Sequence, residues 1–377
     1  MNEIQMVDLK TQYKKIRDEI DNAIFSVIHS TAFIRGPGVR LFEDEMKAYL
    51  GVSHVVSCGN GTDALQIVMM SLGLKPGDEV ITTDFTFIAT VETVALLGLK
   101  PVLVDPDPGT FNISLKEIEK AITPRTKAII PVHLFGQCAD MEGIMKLARE
   151  HGLHVIEDAA QATGAGFRLS DGVTAKAGTI GVAGTTSFFP SKNLGCYGDG
   201  GAIFTNDDNL AAKARSIANH GMKERYHYDD IGLNSRLDTI QAGILSVKLK
   251  YLDKYNEARK AAASYYDNAF SGCSDIIIPS KVPGSDHIYH QYTIRVRDRK
   301  RDALKKHLSE HGIPSMIYDP APLHSQAAYS YLGLNDTGFP VTCSLCGEVL
   351  SLPMHTEMDE EQLRYITGNV LEFFERK

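Results

Sequence analysis

The sequence predicts an α/β protein: a large domain on a mostly parallel central sheet with helices on both faces, then a smaller C-terminal α+β domain. Short apolar runs alternate with stretches of helical period through the first part of the chain, as strand–helix–strand crossovers require. Polar residues gather just past those runs, where ligands collect in such sheets: Asn60 to Asp63, Asp84, His133, Glu157 and Asp158. Finally, 377 residues with 43% hydrophobic content exceed what one core holds, since single cores stop growing near about 250–300 residues.

The elements follow in order. From Thr11 to His29, Ile16, Ile20, Ile24 and Val27 recur three and four residues apart, which predicts an amphipathic helix lying on the body of the protein. HVVSC reads as a strand before a helix opening at Gly61, and EVITTD as a strand before one opening at Phe87. PVLVD precedes SLKEIEKAI, AIIPVHLFG precedes MEGIMKLAREHG, and LHVIEDAA follows. The pair Met69 and Met70 fits a core position. Leu237 to Phe270 reads as one long helix, followed by a strand in QYTIRVRD, a helix in DALKKHLSEHG and a Pro-rich loop. The expected domains are 1–246 and 247–377.

A net charge of -8 and a pI near 5.9 argue against a nucleic-acid or acidic-membrane binder, so any anionic ligand needs a local site. The opening MNEIQMVDLKTQYKKIRDEI has no signal-peptide core, and no apolar run approaches the roughly 18 residues of a membrane span, so a cytoplasmic protein is expected. Six scattered cysteines with a single CxxC, Cys343 and Cys346, read as reduced thiols, and no metal site is expected. His133, His220, His227 and His355 lack metal-ligand spacing.

CGNGTDAL follows a strand and opens a helix, so the N–H groups of Gly61, Thr62 and Asp63 are available to a bound anion such as phosphate. A plain helix cap by Asn60 or Thr62 is the bland alternative. Gly59-x-Gly61-x-x-Ala64 with Asp84 downstream also fits a dinucleotide fingerprint, which leaves an NAD-dependent oxidoreductase open at this stage.

Lys192 sits in TSFFPSKNLGCYGDGGAIFTND, between a Phe-Phe-Pro-Ser run and a set of glycines. Pyridoxal phosphate needs a lysine amine for a Schiff base and a carboxylate for its pyridinium nitrogen, and Lys192 and Asp158 supply both types. Desolvation by Phe188, Phe189 and Pro190 is expected to favour the neutral, nucleophilic amine. Asp158 closes the strand in LHVIEDAA, where it can keep a ring nitrogen protonated.

With these residues assembled, the chain resembles the DegT-type nucleotide-sugar aminotransferases, a branch of the fold-type I pyridoxal-phosphate enzymes. NGTDAL, GDEVITTDFTFIAT, EDAAQATGA, SFFPSKNLGCYGDGGAIFTND, GLNSRLDTIQAGIL and PLHSQ occur in family order. The resemblance implies Lys192 as the Schiff-base lysine, Asp158 as the pyridinium partner, Gln161 near the phenolic oxygen and Phe87 stacked on the ring. It implies that Gly61, Thr62 and Ser187 hold the phosphate, with Asn234 reaching in from a second subunit of a homodimer with shared sites. Lysine at 192, where the family's sugar dehydratases carry histidine, implies transamination with glutamate as donor.

RYHY followed by GLNSRLDTIQAGIL is similar to enzymes aminating C3 of UDP-2-acetamido-2-deoxy-3-oxo-glucuronate for surface polysaccharide, O-antigen or lipopolysaccharide. By that likeness Arg236 meets the sugar carboxylate, a role suited to a guanidinium fork. Tyr318 and His324 are the other expected substrate contacts, and Arg35 and Arg40, flanking a GPG turn, are candidates to meet a nucleotide diphosphate. Where relatives usually have His-Tyr-Pro, this chain has Tyr318, Asp319 and Pro320, which adds an acid that repels a uronate unless it turns away. A dTDP-linked 3-keto-6-deoxyhexose is the alternative substrate.

Overall fold

The structure, a computed structural model, describes residues 3–375. Its main sheet has seven strands in the order His54–Cys58, Gly201–Thr205, Ala183–Ser187, His154–Asp158, Thr126–Ile130, Glu79–Thr83 and Lys100–Val104. Gly201–Thr205 runs antiparallel to both its neighbours, and every other pairing is parallel. Helices cover both faces, so central strands are buried even where they are polar. In Glu79–Thr83 all five residues are buried. The strand tolerates this because Thr82 donates to the Ile130 carbonyl at 2.8 Å and Glu79 accepts from Arg125 at 2.8 Å.

One face packs Val56, Leu65, Ile67, Val68 and Met69 against Ile156 and Ile203, and Met70 is only partly buried at its margin. A second core joins the helix Leu252–Phe270 to a three-stranded antiparallel sheet of Ile276–Ile277, Tyr292–Val296 and Val349–Leu352, with the helices Arg301–Glu310 and Glu360–Glu375. Tyr266 and Tyr292, with ring centroids 4.7 Å apart, lie at its centre. The expected boundary at 246 and 247 falls inside the helix Thr239–Leu249. We therefore take the smaller unit to begin with Leu252–Phe270, the first helix to feed the second core.

Three element boundaries differ from expectation. The amino-terminal helix is two, Leu9–Lys15 and Arg17–Ser30, broken at Ile16, whose N–H bonds only three residues back to Tyr13. The helix expected from Phe87 is Ala89–Leu96, because Thr90 and Val91 also bond three residues back and leave Phe87 outside the coil. The long helix is also two, Thr239–Leu249 and Leu252–Phe270, with a turn at Tyr251, whose N–H bonds back to Lys248. No helix among the described residues is long and apolar enough to cross a membrane.

Side chains alternate across His154–Asp158, and that parity separates Glu157 from Asp158. Glu157 is fully buried on the structural side, where it accepts from His133 at 2.8 Å and from the N–H groups of Gly178, Ile180 and Gly181 at 2.9, 2.6 and 2.6 Å. Grouped with the active-site polar residues in the sequence, Glu157 and His133 are instead a buried brace for the Gly178–Gly181 turn. Replacing Glu157 by alanine strands those donors, so Glu157→Ala is expected to cost about 3–5 kcal/mol of unfolding free energy, measurable by urea denaturation.

Candidate active site

A cavity of about 430 Å³ opens beyond the carboxyl ends of the parallel strands. At one side the helix Gly61–Ser71 begins. Asn60, in extended conformation, caps it by accepting from Asp63 N–H at 2.7 Å. Of the three N–H groups expected to face an anion, Asp63's is therefore committed to the cap, which leaves those of Gly61 and Thr62. Both residues line the cavity. The cradle is close-packed: a Cβ on Gly61 would lie 2.8 Å from Cβ of Ser187, and one on Gly201 would lie 2.3 Å from the Asn60 carbonyl. Ser187 also lines the cavity, and its hydroxyl accepts from Phe189 N–H at 3.2 Å.

Lys192 reaches the same cavity from the loop after Ala183–Ser187, in a turn closed by its N–H to the Phe189 carbonyl at 2.8 Å. Its side chain lines the cavity and is half-buried by area. Burial lowers its amine from 10.5 to about 8, against the opposing pull of the Asp158 carboxylate. The neighbours divide otherwise than expected. Phe188 turns into the core against Phe42, at 5.4 Å between centroids, and only Phe189 of the Phe-Phe pair lines the cavity.

Lys248, which sequence reasoning missed, buttresses this loop. It is buried in the helix Thr239–Leu249, donates to the Gly195 carbonyl at 2.5 Å, and has its pKa lowered by burial to about 8. Only its place in an apolar stretch, ILSVKL, could have signalled an inward lysine.

Asp158 is 5% exposed and faces the cavity, with Thr90 donating to one oxygen at 2.8 Å and Ala160 N–H to the other at 3.1 Å. Two donors, one on each oxygen, hold this buried carboxylate in one orientation. Gln161 lines the cavity too, and its carbonyl oxygen accepts from Phe135 N–H at 2.6 Å, so the amide NH₂ is the end available to a ligand. Phe87, 60% exposed, presents its ring at the opening. Opposite, His290 enters from the smaller unit. It is held by Asn193 at 3.2 Å, and burial followed by the nearby Lys192 keeps it well below its ordinary pKa, hence neutral. Nothing in HIYHQY marked it beforehand.

Tyr318 and Asp319 line the cavity, but His324 does not. Its backbone and ring donate to Asp84 at 2.7 and 2.6 Å, its other ring nitrogen lies 3.0 Å from Asp336, and Phe339 stacks on it at 4.4 Å. Burial opposes its charge, but the bonds to Asp84 and Asp336 outweigh burial and raise its pKa. Contrary to the expected substrate contact, His324 anchors the PLHSQ loop to the strand Glu79–Thr83. Asp84, satisfied by His324, is not free to hold a ribose, which removes the acid that a dinucleotide site requires.

His324, Asp336 and Cys343 form the one metal-donor group among the described residues, whereas Cys346 turns into a core beside Phe85 and Val349.

Asn234 and Arg236 also lie outside the cavity. Ser235 between them is tied down, donating to Asp63 at 2.6 Å and accepting from Gly59 N–H at 2.9 Å. Asn234 is exposed, and Arg236 lines a separate cavity of about 500 Å³ with Arg35, Arg40, Lys47 and Arg215. Among the described residues lining the first cavity, Lys192 and the neutral His290 are consequently the only basic side chains, beside the carboxyls of Asp158, Asp199 and Asp319.

These features fit pyridoxal 5'-phosphate. Gly61 and Thr62 offer N–H groups at a helix amino end, Ser187 offers a hydroxyl, Asp158 is a fixed acceptor for a ring N–H, and Lys192 is an amine already biased toward neutrality.

Comparison with known proteins agrees. The profile of the DegT/DnrJ/EryC1/StrS aminotransferase family matches residues 14–371. The chain is 48% identical to a pleiotropic regulatory protein of Geobacillus stearothermophilus, over 98% of both chains. It is 46% identical to the UDP-2-acetamido-2-deoxy-3-oxo-D-glucuronate aminotransferase of Pseudomonas aeruginosa, over 96% of this chain and 98% of that one. It is equally, 46%, identical to a UDP-N-acetyl-3-dehydro-alpha-D-glucosamine 3-aminotransferase of Acidithiobacillus ferrooxidans, over 96% of each. A crystal structure of a DegT/DnrJ/EryC1/StrS aminotransferase from Brucella abortus, 42% identical, superposes with a TM-score of 0.93 over 98% of this chain and 99% of that one. The chain belongs to the DegT/DnrJ/EryC1/StrS aminotransferase family, and it is a sugar aminotransferase that uses pyridoxal 5'-phosphate.

Proposed function

We propose that the protein moves an amino group from glutamate to C3 of a UDP-linked 2-acetamido-3-oxo sugar, for surface-polysaccharide synthesis. The observation that carries amino transfer is the meeting of the Lys192 amine and the Asp158 carboxylate in one cavity bordered by a helix amino end. The bound cofactor supplies a covalent carrier for nitrogen and a ring that accepts electrons. The rest is work for the chain. Asp158 would hold a proton on the ring nitrogen, Gly61, Thr62 and Ser187 would bind the phosphate, and Phe87 would cover a ring face. Lys192, an amine that burial lowers to about 8 and so biases toward the neutral form, would take the proton from the substrate carbon and return it.

The cavity holds too few cations for an anionic nucleotide and a dicarboxylic donor. We propose that a second copy completes it, with its Asn234 and Arg236 reaching the first copy's site in a homodimer. Supporting this, Arg236 has no ion pair among the described residues, and exposed Phe33 and Ile34 lie in the segment between the helices Arg17–Ser30 and Pro37–Leu50, with Ile34 bridging to Asp238 and exposed Phe25 and Leu41 on those two helices.

Two sugars share the proposed skeleton and differ at C6. The uronate reading rests on the Pseudomonas relative and on Arg236 as a carboxylate fork. The neutral reading rests on the Acidithiobacillus relative and is favoured by Asp319 in the cavity wall. The test is a panel of both UDP sugars and a dTDP-linked 3-keto-6-deoxyhexose, each with glutamate. Turnover of a UDP sugar is the expected result, and turnover of the dTDP sugar alone would remove this reading.

A further inference from the structure

Asp319 is a carboxyl group on the cavity wall with no compensating partner. It lines the cavity and is half-buried, and burial is the sole cause acting on its acidity, which rises from 3.8 to about 6. No hydrogen bond or ion pair to it is made among the described residues, unlike Asp158, which has two donors. Among the described residues no cation is close enough to lower its pKa, and Arg301 instead donates to the Cys346 carbonyl at 3.0 Å. Tyr318 precedes it, and Cys346 of the helix Pro340–Glu348 lies close enough to feel its charge. In the cavity His290 is neutral, which leaves the Lys192 amine, itself biased toward neutrality by burial, as the one basic group among the described lining residues. A half-buried carboxylate that no protein donor satisfies is open to accept from a ligand, and a sugar hydroxyl is such a donor. A second carboxylate is not.

Resting on the amino-transfer reading above, we propose that Asp319 is a specificity-determining residue. It accepts a hydrogen bond from the C6 hydroxyl of a neutral UDP-linked 2-acetamido-3-oxo sugar and rejects the same sugar oxidised to a carboxylate at C6. The arginine expected for a uronate does not rescue that substrate. Arg236 lies outside this cavity, and were a second copy's Arg236 to arrive beside Asp319, the two would pair and cancel the charge a uronate needs.

The test runs on the full-length, cofactor-loaded enzyme in the reverse direction, with 2-oxoglutarate and the stable UDP-linked 3-amino sugars, one with a C6 hydroxyl and one with a C6 carboxylate. The readout is the ratio of the two kcat/KM values within each protein, which cancels any loss of active enzyme. Wild type is expected to prefer the neutral sugar, and Asp319→Asn to shift the ratio toward the uronate by about tenfold or more, the scale of removing a like charge from a contact. Asp319→Ser, a second neutral replacement, is expected to shift it likewise, and Asp319→Glu to preserve the wild-type preference. Wild-type preference for the uronate, or a ratio unchanged in both neutral variants, overturns the proposal. Failure on both sugars with an intact glutamate half-reaction overturns the sugar reading itself, and this proposal with it.

Discussion

Lys192→Arg is expected to bind the cofactor's phosphate yet lose about three to four orders of magnitude in kcat with glutamate, the span of a lost general acid–base group. Arginine preserves charge and length, but a guanidinium does not deprotonate at any working pH, whereas burial has already brought the Lys192 amine to about 8. It can neither attack the cofactor's aldehyde nor carry a proton. Single-turnover absorbance with glutamate measures the loss, and an unchanged melting curve separates it from misfolding. A variant within tenfold of wild type would mean that another base does the work.

Asp158→Asn is the second large effect, with kcat expected to fall about 10²–10³-fold, corresponding to roughly 3–4 kcal/mol for one preorganised electrostatic contact. The fold should survive it. An asparagine carbonyl still accepts from Ala160 N–H, and the Thr90 hydroxyl can turn to accept from the amide instead of donating. What disappears is the negative charge that makes a protonated ring nitrogen favourable. The measurement is kcat at saturating glutamate in a variant shown by absorbance to retain cofactor. A drop confined to cofactor affinity, with kcat intact, would reassign Asp158 to binding alone.

The sheet was readable because its strands are short apolar runs between helices of clear period, and burial on both faces leaves that pattern uninterrupted. The helix breaks at Ile16 and Tyr251 were not readable: neither is marked by glycine or proline, and both depend on N–H groups bonding three residues back. Val349–Leu352 was hidden because VLSL is too short to stand out before it pairs with Tyr292–Val296. In the site, Lys192 and Asp158 could be named from chemical type and position alone. What stayed hidden was the bracing role of Glu157, because strand parity turns it toward the Gly178–Gly181 turn while Asp158 faces the cavity. His324 was expected at the substrate because it lies in PLHSQ, one of the segments that carry the family resemblance; only the buried Asp84 across the fold reveals it as an anchor. Lys248 and His290 escaped notice because each acts through a partner distant in sequence, the Gly195 carbonyl and Asn193.

The most direct measurement is reduction of the cofactor-loaded protein with borohydride, followed by digestion and mass mapping of the modified peptide. Stoichiometric labelling at Lys192, blocked in Lys192→Arg, is the predicted result. Label on Lys248 or on any exposed lysine, with Lys192 unmodified, would contradict the account.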